Sequence, residues 1–272
     1  MIVALCPSFR RPQLAGNAAA CFLAQRCDLP RKMLIWEDGG ALKPGTQGSI
    51  RVVTSHRLPD LGSKYNALAA LAVQLWNPDY LAVWEDDDIY LPWHLETSIV
   101  AMIQSWALWA KPSRVGSLYT GRLEEEPAAG RFHGSLVLTR RAWEQVPWPT
   151  HGRADFDQEF MRHLQEECGP PADPLLIEPR PGYIFRYGST RSYHAQHFMK
   201  GPGDTSWYQD VERTSSQPRT PEPLSIAFDR ETAELIGHPK SGQYHPNDAS
   251  GARCLASTIL PTRMTRGLNE WY

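Results

Sequence analysis

Tyr80-Leu81-Ala82-Val83-Trp84-Glu85-Asp86-Asp87-Asp88-Ile89-Tyr90-Leu91-Pro92 decides how this chain is read. Residues 80–84 form a short apolar run, long enough for a buried strand and too short for a helix. The run ends in four consecutive acids. Adjacent carboxylates repel one another unless a cation or hydrogen-bond donors compensate. A donor set made only of oxygens favours hard cations such as Mg²⁺ or Mn²⁺. The plainer alternative is a solvated acidic loop that caps the next helix, because acids favour a helix N-terminus.

Working outward, residues 2–6, 32–36 and 50–55 read as further strands. Leu14, Ala18, Cys21, Phe22 and Gln25 fall at helical spacing, as do Leu68, Leu71, Ala72 and Leu75 behind a candidate N-cap at Ser63. A third helix begins near Pro92, with Leu95, Ile99, Met102, Ile103 and Trp106 on its apolar face. Strand–helix alternation predicts an α/β, Rossmann-like fold, a mostly parallel sheet flanked by helices. Ligands bind such sheets at the carboxyl ends of the strands. A second strand also ends in acids there, at Glu37-Asp38-Gly39-Gly40.

The alternation then breaks. Residues 115–119 and 134–139 read as strands around an acidic loop at Glu124, Glu125 and Glu126, and residues 155–167 as a helix. Short strands are predicted at 175–177 and 183–187, then a Gly/Pro-rich linker over 201–224. One further helix is predicted at 230–236. The domain reading is a catalytic unit at 1–200 and a linker with a C-terminal extension at 201–272.

Composition excludes several classes. With 28 Lys+Arg against 30 Asp+Glu the net charge is −2, which argues against a strongly basic nucleic-acid binder. No apolar run reaches the ~20 residues of a membrane span. The opening apolar run has no basic region before it, unlike a signal peptide. The five cysteines are scattered and contain no CxxC pair, so a disulfide framework or zinc site is not predicted. The expectation is a reduced, cytoplasmic protein. Of the 10 tryptophans, Trp36, Trp84 and Trp106 read as core. Trp93, Trp143, Trp148 and Trp207 lie nearer loops, where a ring could stack on a sugar or a base, although packing is the ordinary role.

Several motifs, in order, resemble the family 2 glycosyltransferases. Cys6-Pro7-Ser8-Phe9-Arg10-Arg11-Pro12 is similar to that family's opening, and Leu14 and Gln25 sit where it carries a leucine and a helix-ending glutamine. Ile35-Trp36-Glu37-Asp38-Gly39-Gly40 resembles its Val-Val-Asp-Asp-Gly-Ser, and Lys64-Tyr65-Asn66 its Ala-Arg-Asn. Residues 85–92 resemble its Asp-x-Asp-Asp run. His133-Gly134-Ser135 with Arg140 and Arg141 resembles its acceptor-side strand. The likeness covers residues 1–200 and implies a GT-A fold with an acceptor-binding half.

The resemblance implies a hexosyltransferase that inverts at the anomeric carbon and uses a nucleotide-sugar donor, usually UDP-linked, with Mn²⁺ or Mg²⁺. It places Pro7, Ser8 and Arg10 along the nucleotide cleft, Glu37 on the base with Asp38 as alternative, and Lys64 near the base or diphosphate. Asp86 would contact the ribose and Asp87 the metal, with Asp88 capping the next helix. His194 is the implied second metal ligand, with His197 as alternative. The general base falls to Asp157, with Asp155 second, because Asp155 and Gln158 read as a capping box. The acceptor would be a hydroxyl on a glycan, a lipid-linked sugar, a small molecule, a protein or a modified nucleic acid. Competing readings are a nucleotidyltransferase that makes sugar nucleotides, a glycosidase using Asp87 and Asp157, and a non-catalytic sugar-binding protein. The nucleotidyltransferase should carry a Gly-rich, basic loop after the first strand, and none is present.

Overall fold

The apolar strands of the first half are buried on both faces, as parallel strands covered by helices must be. The computed structural model describes residues 1–119, 121–151, 155–187 and 220–237. Strand β1 (Ile2–Ser8) is buried along its whole length, and its side chains alternate between two cores. Ile2, Ala4 and Cys6 join one core with residues of α1 (Pro12–Leu23) and α3 (His94–Ser105). Val3 and Leu5 join the other, with residues of α2 (Leu61–Trp76), α4 (Arg140–Gln145) and α5 (Phe156–Cys168). Strands β2 (Arg31–Glu37) and β5 (Tyr80–Val83) divide in the same way: Met33, Ile35 and Ala82 go to the first core, and Leu34, Leu81 and Val83 to the second.

With β3 (Gly45–Gln47), β4 (Ile50–Thr54), β7 (Trp109–Ala110) and β10 (Val137–Thr139), these strands form a seven-stranded sheet in the order β3-β4-β2-β1-β5-β10-β7. The central β4, β2, β1 and β5 run parallel, so their carboxyl ends lie along one edge. Strand β10 is antiparallel to β5. A second sheet, β6-β11-β8-β9, is built from β6 (Ile89–Tyr90), β8 (Arg114–Tyr119), β9 (Arg122–Pro127) and β11 (Tyr183–Tyr187). Because β6 follows the acid run directly, this second sheet anchors the far end of that run. Among the described residues no helix is long and apolar enough to cross a membrane.

Several local expectations are corrected. Helix α2 is capped by Asp60, whose Oδ1 accepts from Ser63 N at 2.6 Å, so Ser63 is the donor inside the first turn and not the cap. Residues 124–126 belong to edge strand β9, where Arg114, Arg122 and Arg131 pair with the three acids. Residues Pro174–Leu176 form a 3-10 turn and not a strand. Trp106 is 81% exposed, because it ends α3 in the left-handed region at φ 57° and leaves the helix's apolar face.

Within the expected extension, residues 220–237 pack into the first core through Leu224, Phe228 and Ala233. Leu42 and Glu222 form a parallel bridge, and α6 (Arg230–Ile236) is capped by Asp229. This part of the chain therefore belongs structurally to the sheet domain.

Candidate active site at the strand carboxyl ends

The end of β2 turns on one side chain. Glu37 is fully buried, and its Oε1 accepts from Arg10 N at 2.8 Å and Gly39 N at 2.9 Å. Its Oε2 accepts from Ala41 N at 2.9 Å and Leu42 N at 3.4 Å. A carboxylate has about four acceptor sites, and here backbone N–H groups engage all four. The expected bond from Glu37 to a base therefore has no acceptor site left; Glu37 ties the turn after β1 to the loop after β2. Arg10 serves the same tie, with a positive φ of 55° and its Nε donating to Gly39 O at 2.9 Å.

Asp38 pairs with Lys64, Nζ to Oδ1 at 2.6 Å, and the same Nζ donates to Ser8 O at 2.7 Å. Lys64 is nearly buried; burial lowers its pKa, opposed by Asp38. The ammonium thus ties the ends of β1 and β2 to the start of α2. Pro7 and Ser8 complete β1, and Ser8 Oγ donates to Asp86 Oδ2 at 2.7 Å. Arg11 makes ionic contacts to Asp86 at 2.5 Å and Asp87 at 3.0 Å. Burial pushes the Asp86 carboxyl up to about 6, against the opposing pull of Arg11.

The acid run splits by direction. Asp86 faces β1 and α1, whereas Asp88 faces the second sheet. Its Oδ2 accepts from Tyr183 OH at 2.5 Å and its Oδ1 from Arg186 N at 3.1 Å. Asp88 therefore does not cap α3, whose start carries no side-chain cap. Arg186 also grips the run through Nε to Asp87 O at 2.6 Å, while its Nη1 pairs with Asp229 at 2.6 Å. Carboxylate oxygens of Glu85, Asp87 and Asp88 lie within 4.8 Å of one another. Three converging hard oxygens suit a divalent cation.

An aromatic group that shares the second core with Leu81 and Val83 of β5 is built by Tyr65 of α2, Phe160 of α5, His133 before β10 and Trp148 between α4 and α5. Trp148 stacks on Tyr65 and Phe160, with ring centroids 5.1 Å and 4.6 Å apart. Trp148 Nε1 donates to His133 Nε2 at 2.7 Å. Asn66 pins Trp148 by both backbone groups, at 2.8 Å and 3.0 Å. The Lys64-Tyr65-Asn66 segment thus supports both halves of the site with successive side chains. Asp157, in the first turn of α5, is half-buried. Burial raises its pKa, opposed by His133 and reinforced by Glu85, which places the three groups in one electrostatic neighbourhood. Asp155 occupies the N-cap position of α5 but makes no side-chain capping bond, so the expected capping box is absent. His194 and His197 lie outside the described residues.

From sequence, Glu85 had only a place in the acid run, His133 a place in the acceptor-side motif and Trp148 a possible stacking role, and Arg11, Arg186 and Asp229 had no individual role. Arg11 was legible only as the neighbour of Arg10; the direction of the turn into α1 decides which of the two faces the acids. Arg186 and Asp229 are separated from their partners by whole elements.

Comparison with known proteins bears on the fold. No sequence-family profile and no curated protein sequence matches the chain. Among solved structures, residues 1–349 of TarS from S. aureus superpose with a TM-score of 0.53 at 9% identity, covering 68% of this chain and 60% of that one. The same TarS fragment in complex with UDP-GlcNAc superposes with a TM-score of 0.54 at 9% identity, covering 79% and 65%. This chain therefore spans less than two thirds of the fragment it resembles. The likeness establishes the fold alone, a mostly parallel α/β sheet flanked by helices that is shared with the TarS fragment.

Proposed function

We propose that this protein is a divalent-cation-dependent, inverting glycosyltransferase of the family 2 kind. It would move a hexose from a nucleotide-sugar, a UDP-sugar, to an acceptor hydroxyl. The observation that carries the reading is the convergence of Glu85, Asp87 and Asp88 just past the end of β5, at the ligand-binding edge of a parallel sheet. The TarS fragment binds UDP and UDP-GlcNAc on a fold of this kind, which supports the choice of donor.

In this reading Pro7, Ser8, Arg10, Asp38 and Lys64 border the nucleoside, and Asp86 with Arg11 lies toward the ribose. Asp87, with Glu85 and Asp88, would hold Mn²⁺ or Mg²⁺, and His194 is the further candidate ligand. The bound cation would neutralise charge developing on the leaving diphosphate. Asp157 is the general base: it takes the acceptor hydroxyl proton as that oxygen bonds to the anomeric carbon. The sugar–phosphate bond breaks on the opposite face, and its electron pair leaves with the diphosphate. A carboxylate whose pKa is raised by burial is better matched to that task near neutral pH. Asp155 is the alternative base.

A panel of nucleotide-sugars with Mn²⁺ tests the reading by thermal melting. A donor at 100 times its Kd stabilises by about 2.7 kcal/mol. One donor class should raise Tm and be turned over to its nucleoside diphosphate. If none shifts Tm or turns over, and Asp87→Ala matches the parent protein, the proposal is wrong.

A further inference from the structure

His133 is 3% exposed, and rings surround it: Tyr65 at 4.9 Å between centroids, Phe156 at 5.7 Å, Phe160 at 5.9 Å and Trp148 at 6.1 Å. Its two nitrogens are not equivalent. An indole N–H only donates, so the 2.7 Å bond from Trp148 makes Nε2 the acceptor. The neutral ring then carries its proton on Nδ1. That atom is buried with no hydrogen-bond partner, and Glu85 Oε1 stands 3.5 Å away. A buried N–H without an acceptor is costly, by about 1–3 kcal/mol. The packed ring is fixed, whereas Glu85 is long and its side chain is 18% exposed. The carboxylate is therefore the member that closes the gap. Gly134 allows this approach, since a Cβ there would lie 3.2 Å from Glu85 Cδ and 2.9 Å from Tyr183 OH.

We propose that His133 is a positioning residue for Glu85. Its Nδ1–H, held in that tautomer by Trp148, draws the Glu85 carboxylate toward the wall that carries Asp157 and so sets the spacing of the Glu85–Asp87–Asp88 oxygens. The inference rests on reading those three acids as a cation site. Partners of this kind behind a metal ligand alter metal affinity by about 10–100-fold when removed.

Two substitutions separate the two nitrogens. His133→Asn keeps a donor where Nδ1 was, and His133→Gln keeps an acceptor where Nε2 was. In Mn²⁺ titrations followed by electron paramagnetic resonance, His133→Gln should weaken binding about 10-fold, with His133→Asn close to the parent protein. Equal losses in the two variants, or no loss in either, overturn the proposal. Nitrogen NMR of the unsubstituted protein is independent of any variant: the proton should be on Nδ1, and a proton on Nε2 overturns it. If the parent protein binds no Mn²⁺, the cation reading fails by itself. The pairing is then decided by urea unfolding of His133→Gln, Glu85→Gln and the double variant, where strict additivity counts against it.

Discussion

Glu37→Gln separates two readings of the same residue. The substitution changes shape hardly at all but replaces one carboxylate oxygen with an NH₂ group. The amide will point its nitrogen at Ala41 and Leu42, because Leu42 N is the longest of the four contacts at 3.4 Å. One sound bond, from Ala41 N at 2.9 Å, is then lost, and a donor faces a donor. A hydrogen bond to a charged group contributes about 1.5–3 kcal/mol. The bonds from Arg10 N and Gly39 N survive but lose their charge assistance, roughly half of their strength. Relief from burying a charge offsets part of this. The net expectation is a loss of about 3 kcal/mol. For a chain of this size that is a fall in Tm of about 6–12 °C. Equilibrium urea unfolding with the same slope m, alongside a thermal melt, measures it. If Glu37 served instead to bind a base, the variant would keep its stability and lose only nucleotide affinity. Stability within about 1 kcal/mol of the parent protein would refute the loop-organising role.

Other outcomes follow from the same geometry. Asp157→Asn should lower kcat by about 10²–10⁴-fold at unchanged stability. Because burial raises the Asp157 pKa, the acid limb of kcat/KM should lie above the ordinary carboxylate range, with activity rising as pH climbs through it; a pH–rate profile checks this. Gly16→Ala puts a Cβ 2.0 Å from Ser225 O, so it should destabilise by displacing residues 220–237, although alanine ordinarily favours a helix; a gain in Tm would contradict that packing. Asp229→Asn keeps the α6 cap and loses the Arg186 pair, whereas Asp229→Ala loses both and should cost about 1 kcal/mol more in urea unfolding. Burial raises the Asp229 pKa, but Arg186 and Thr232 outweigh it and hold the group below its ordinary value. Its contribution is therefore complete above the unfolded pKa of about 3.9, and the gap to Asp229→Asn should close as pH falls below that value.

The sequence by itself determined the parallel sheet and the edge that carries the acids. Continuous apolar runs such as residues 2–6 and 80–84 suit only strands covered on both faces, and the acids follow where those runs stop. It also carried the helices of the first half, because their apolar period is local. The direction of each acid was not legible. Glu37, Asp86, Asp87 and Asp88 are chemically alike in the chain, yet Glu37 takes backbone N–H groups, Asp86 faces Ser8 and Arg11, Asp87 lies between Arg11 and the carboxylate cluster, and Asp88 reaches that cluster while held by Tyr183 and Arg186. Only the tertiary structure decides this, since each partner comes from a different element and a carboxylate takes its role from whichever donors surround it. The same holds for His133, whose role depends on Trp148 and Glu85, and for residues 220–237, which join the core through Gly16 and Arg186. Periodicity is written along the chain, whereas the orientation of a polar side chain is fixed across it.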